Sequence, residues 1–184
     1  MKDLKAQLKE ELRRIELKFK NERVLTKCVK NHDGVQMLGD KIGPFKKDKK
    51  YKLKFFEALP FIKNDILIID ESERIDNVAV QRHAIAERDN HGLMGKDSKY
   101  FLTKIKHFKF FMEKEVLDKL KPQEFLDRFN SFFSNLIDAR LLKLLKLAKA
   151  KIGAEEERKM THSEQLIFEL LRQIILVWRK SFLE

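Results

Sequence analysis

The amino-acid sequence predicts an α+β chain, predominantly α, in which a small N-terminal β-rich domain precedes a helical-bundle domain. Three observations lead there. Between Val24 and Asp70, short β-branched or apolar runs alternate with turn clusters. From Phe101 onward, apolar residues recur only at spacings of three and four. The chain is 43% apolar with 6 Gly and 3 Pro, which suits a sequence that folds around a core.

Residues 1–22 form the first expected element, an amphipathic helix. Leu4, Leu8, Leu12, Ile15 and Phe19 make one narrow stripe on a highly charged cylinder, which needs an outside surface to lie on. Residues 23–70 form the β-rich domain. Val24 to Val29 reads as a strand, Asn31-His32-Asp33-Gly34 as a turn, and Val35 to Leu38 as a second strand. Gly39 to Pro44 reads as a loop, and Tyr51-Lys52-Leu53 as a third strand. Phe55 to Ile62 has the texture of a short helix that Pro60 restricts to a first-turn or broken form. Ile66 to Ile69 is continuously apolar and reads as a buried strand.

Residues 71–98 are expected as a short helix, near Ile75 to Ala86, and a flexible linker containing His91-Gly92 and Gly95. Residues 99–184 are expected to be helical throughout. Phe101, Ile105, Phe108 and Met112 step along one face, widened by Phe111. Pro122 suits the first position of the next helix, because its missing N–H would have no helical partner there. That helix carries Phe125, Phe129, Phe132, Leu136 and Leu141 to Leu147, with Gly153 as its stop. Thr161 and Glu164 have the spacing of a capping box opening a last helix that runs to Phe182.

The formal net charge of +11 favours an acidic counterpart of some kind. Cys28 stands alone, which excludes an internal disulfide or a cysteine metal cluster and suits a reducing compartment. Met1 to Lys20 is charged throughout, unlike a signal peptide, and no run reaches the ~18 apolar residues of a membrane span. A soluble intracellular protein is expected.

Catalysis requires convergent polar groups. His107 lies in a Phe-rich helix without a second ligand at helical spacing, while His32, His83, His91 and His162 fall in turn, linker or cap contexts. Gly39-Asp40-Lys41-Ile42-Gly43 lacks the spacing and terminal Lys-Ser/Thr of a phosphate loop. The carboxylates from Asp70 to Glu73 and from Glu155 to Glu157 read as solvated runs. No catalytic residue, metal ligand or cofactor is assigned, and no enzyme is expected. Lys46, Lys47, Lys49 and Lys50 form a compact cationic loop that can contact nucleic acid non-specifically. A stand-alone basic nucleic-acid-binding protein is therefore the alternative reading.

The informative excess is apolar. Ile174 to Trp178 are consecutive large apolar residues, so they point to every side of the last helix, where a lone domain's surface helix needs only one stripe. Trp178, Leu171, Ile174, Phe129, Leu136 and Arg140 are the candidate interface or core residues. The Trp178-Arg179 pair suits an interface anchor. Arg140 is expected in a buried ion pair, with Asp138 of a neighbour or with Glu164.

The order of several motifs resembles the GINS replication subunits in which the small β domain comes first. Gly43-Pro44-Phe45, a basic turn, Tyr51-Lys52-Leu53, the Phe55 to Phe61 helix and the Ile66 to Ile69 strand are similar to that family's β domain. Leu136 to Leu144 is similar to its "Asp-Leu-x-x-Ile-Arg-x-x-Lys-Leu" helix, with Arg140 and Lys143 in the matching places. Met160 to Leu171 resembles its final "Leu-Thr-x-x-Glu" helix. Lys54 and Phe56 stand where the family usually has Pro and Trp. The resemblance implies an archaeal, non-catalytic scaffold subunit of a 2:2 heterotetramer. It further implies the MCM helicase and a RecJ-family replisome protein as partners, no membrane, and a cytoplasmic, nucleoid-associated location.

Overall fold

The computed structural model describes residues 2–37, 39–150 and 152–183; Met1, Leu38, Lys151 and Glu184, which close or lie within expected elements, fall outside them. Among the described residues are seven helices and two small sheets, 63% helix against 12% strand, so the fold is α+β and predominantly α. The chain forms two units, one of residues 16–74 and one of residues 75–184 together with the first fifteen residues.

The N-terminal helix α1 (Lys2–Lys20) leads into the small unit, where Phe19 is buried against Phe55 with ring centroids 5.1 Å apart. Leu4 and Leu12 of its stripe stay exposed. The main sheet has the order β4-β1-β5, built from β1 (Arg23–Cys28), β4 (Lys50–Lys54) and β5 (Leu67–Ile69), all antiparallel neighbours. The run expected as a buried strand is thus an edge strand. Leu67 and Ile69 are buried while Ile68 is 42% exposed, because successive side chains leave opposite faces and this sheet is covered on one.

Residues Asp40–Ile42, expected as loop, are a strand (β3) pairing with β2 (Val35–Met37). Both β3 polar residues are exposed, so no apolar alternation marks it in the sequence. Gly34 (φ +85°) and Gly43 (φ +111°) pack backbone to backbone beneath this hairpin. A Cβ on Gly43 would lie 2.6 Å from the Gly34 Cα.

Helix α2 (Phe55–Lys63) continues through Pro60, contrary to the broken form expected. The proline removes one internal hydrogen bond, a cost of about 3 kcal/mol in a helix interior. Phe55, Ala58, Phe61 and Ile62 are buried on one face, and burying even two such large side chains offsets it, at about 1.5–3 kcal/mol each. Asn64 then closes the helix, its side-chain and backbone N–H groups both donating to the Pro60 carbonyl. Phe45, following the Gly43-Pro44 turn, sits edge-on between Tyr51 and Phe61.

In the helical unit, α3 (Asn77–Asp89) is capped by the Asp76 carboxylate, which accepts from the Ala79 N–H. It packs with α4 (Phe101–Leu117) and α5 (Gln123–Ala148) around Val80, Ala84, Phe101, Ile105, Met112, Phe129 and Leu136. Pro122 occupies the cap of α5, one residue ahead of the expected first position. The charged run Glu155 to Glu157 belongs to a short helix, α6 (Ala154–Arg158). The last helix, α7 (His162–Leu183), meets α5 in a second core of Leu93, Leu144, Ala148, Met160 and Phe168. Residues 90–98, expected as a flexible linker, contribute to that core through Leu93, which is 5% exposed.

Candidate functional site

Two features of the helical unit stand out, a buried charge network and an exposed apolar helix end. The first follows from helix periodicity. Leu136, Arg140, Lys143, Leu144 and Leu147 lie three and four residues apart on α5, so Arg140 and Lys143 occupy the same inward stripe as the leucines. A guanidinium placed there must find partners for five donors. Arg140 finds all five. Its Nε and Nη2 grip the Glu164 carboxylate side-on, Nη1 donates to Glu87 Oε2 (2.7 Å) and the Met94 carbonyl (2.8 Å), and Nη2 also reaches the Lys159 carbonyl (3.1 Å).

Lys143 uses its three donors equally fully, on the Glu87 carbonyl, Glu87 Oε1 (2.8 Å) and the Gly92 carbonyl (2.8 Å). Lys96 adds a third cation, 2.9 Å from Glu87, its side chain only 3% exposed. Glu87 therefore takes charge from Arg140, Lys143 and Lys96 and one backbone N–H from Met94. Glu164 accepts from Arg140 and from both the N–H and hydroxyl of Thr161, which is the expected capping pair put to a second use. Within the chain Arg140 pairs with Glu164, one of the two partners expected; its own Asp138 lies near Ser134 on the exposed side.

Burial raises the Glu87 carboxyl, but the Lys143 and Lys96 hydrogen bonds and the Arg140 charge outweigh it and hold the group at about 2. The sign follows directly. A carboxylate depressed from 4.5 stabilises the fold above that value and ceases to do so as pH falls through about 2. The helical unit is expected to lose on the order of 3 kcal/mol between those limits, seen as a falling thermal midpoint in circular dichroism. Glu87→Gln should flatten that dependence, and an unchanged acid profile would contradict the pairing. Burial also pushes the Lys96 ammonium below its ordinary range.

The second feature arises because α5 ends before α7 does. The two run side by side in the same direction: Arg140 faces Glu164, and Lys149 at the C-cap of α5 lies beside Ile175, Trp178 and Arg179. From Trp178 to Leu183, roughly 9 Å of helix, α7 runs past the last turn of α5, whose C-cap Lys149 lines one groove with Ile175, Trp178, Phe182 and Leu183. Ile174, Leu176, Val177, Phe182 and Leu183 are all more than half exposed, and Trp178 is 63% exposed. Trp178 and Phe182 stack obliquely at 5.1 Å. At 100° per residue these exposed side chains point to several sides of α7, with Leu176 and Val177 turned away from Trp178.

The candidate residues therefore divide. Phe129 and Leu136 are fully buried core, and Arg140 is the hub of the network. Leu171 is partly buried on the second core, while Ile174 and Trp178 face outward. Sequence reasoning missed Glu87 and Lys96. The only trace of Glu87 was its spacing, three residues after buried Ala84 on α3.

In the small unit Lys46, Lys47, Lys49 and Lys50 are all exposed, on a turn held by the Tyr51 hydroxyl and the Asn31 side chain. Lys50 pairs with Asp70 at 2.7 Å, and with Ser72 this holds the Asp70 carboxyl at about 2. Of the run expected as solvated, Asp70 departs from that reading while Glu71 stays exposed. Asp70 is buried and caps the following 3-10 turn through Ser72. Among the described residues no three His, Cys, Asp or Glu side chains gather as metal ligands. No helix among them is long and apolar enough to cross a membrane. Compared with known proteins, the chain matches no family model and no curated protein.

Proposed function

We propose that this chain is a non-catalytic scaffold subunit of a GINS-type complex, assembling with and supporting the replicative MCM helicase at the replication fork. The observation that carries the reading is the apolar end of α7, where Ile174, Leu176, Val177, Trp178, Phe182 and Leu183 are exposed together. A surface of that character is stable in water chiefly when another chain covers it. The charge network at the start of α7 ties that helix to α5 and α3 through Glu164, Arg140 and Glu87. The ordered resemblance to GINS subunits supplies the family, with a second GINS subunit in a 2:2 heterotetramer and a RecJ-family protein as further partners. A cytoplasmic, nucleoid-associated location goes with that role. Lys46, Lys47 and Lys49 add a cationic surface for sequence-independent phosphate contact.

Native mass spectrometry of the chain purified from its own source is the direct test. The expected species is a heteromer holding two copies of this chain and two of a second GINS-type subunit, with MCM co-purifying. Recovery as a lone monomer would overturn the assignment.

A further inference from the structure

The border of the α7 end carries information that its apolar surface alone does not. Ile175, Trp178, Phe182 and Leu183 line an open groove with Lys149 and Arg179. From Ala139 to Gly153 the chain contains no carboxylate, and from Arg172 to Leu183 it contains none either. Lys146 and Lys149 sit at the end of α5, with Arg172 and Arg179 on α7, and none of these four makes an ion pair among the described residues. Lys180 adds a fifth cation. The groove has an apolar floor and a cationic rim.

Two occupants fit poorly. A second copy of this chain, related by a two-fold axis, would bring the Lys149 and Arg179 rim of one copy to the like-charged rim of the other in a drying interface. A lipid surface suits a convex amphipathic helix lying flat, whereas this apolar surface is a groove between α7 and the end of α5. A groove of that form matches the helix-in-groove mode of recognition, in which side chains one helical turn apart serve as anchors.

We infer that the groove receives an apolar helix of the partner chain whose stripe is flanked by carboxylates, with Trp178 as the anchor and Lys149 and Arg179 selecting for acidic charge. The inference rests on the assembly reading above and specifies the chemistry of the partner's segment.

Trp178 is the single tryptophan, so its emission reports docking on the full chain without a label. Two synthetic helical peptides with the same leucine stripe serve as probes, one flanked by Glu and one by Lys. The Glu-flanked peptide is expected to bind at least about tenfold tighter at low salt and to shift the emission to the blue, the gap narrowing as salt screens the charges. The double variant Lys149→Glu/Arg179→Glu alters two exposed positions and should reverse the preference with helicity unchanged. Equal affinity, a preference for the Lys-flanked peptide, or binding of neither overturns the inference. So does an emission shift on anionic phosphatidylserine vesicles with no response to either peptide. Any of these alongside an intact heteromer from the native source removes the inference alone. Loss of the heteromer removes the assembly reading.

Discussion

Arg140→Ala is expected to destabilise the helical unit by about 3–5 kcal/mol, enough to unfold a domain of ordinary stability near its working temperature. The cost lies in what is left behind. Glu87 and Glu164 would remain buried with part of their countercharge gone, and the Met94 and Lys159 carbonyls would each lose a donor. Lys143 and Lys96 still neutralise Glu87, so Glu164, hydrogen-bonded among the described residues otherwise only by Thr161, bears most of the penalty. The double replacement Arg140→Met/Glu164→Leu should therefore cost less than Arg140→Ala, since an apolar pair needs no partners. Chemical denaturation of the two variants beside the unaltered chain measures this directly. A loss below 1 kcal/mol for Arg140→Ala would mean that the network is not the hub described.

Trp178→Ala is expected to behave in the opposite way, leaving stability nearly untouched while weakening assembly by about 30-fold or more, the size of an interface hot spot. Trp178 is 63% exposed, so its removal leaves no cavity in the isolated chain. In the complex the same ring would fill a pocket of the partner. Its neighbour Phe182, tilted against it at 5.1 Å, holds part of its orientation. A thermal midpoint unchanged within a degree or two, together with a shift from heteromer to free chain in native mass spectrometry, is the expected pair of results. A variant that lost stability and kept its partner would reverse the assignment of this residue from surface to core.

These two residues also show how far a reading from sequence extends. The periodicity of α5 placed Arg140 on a buried stripe, and a buried guanidinium requires carboxylates, so an ion pair could be expected before any coordinates. Glu164 could be named because its capping role brings it to the start of a helix that must pack nearby. Glu87 could not, since it sits 53 residues from Arg140 in a charged stretch with the texture of a linker. Lys96 likewise follows Gly95 in what reads as a loop, yet its side chain is almost wholly enclosed. The helix through Pro60 and the edge position of Ile68 were hidden for a related reason. Local rules describe what a residue prefers, and burial of its neighbours can override that preference.

By itself the sequence determined the helical stripes, the Thr161–Glu164 cap, the strands at Val24 to Cys28 and Tyr51 to Leu53 and the surplus of apolar residues at the end of α7. All of these arise between residues a few positions apart, where backbone geometry sets who meets whom. Only the tertiary structure decided which carboxylates answer Arg140, that the 90–98 segment is packed, and that α5 stops short of α7. Those depend on where separate elements stop and meet in space, and the energies that settle them come from desolvation and packing between residues distant along the chain.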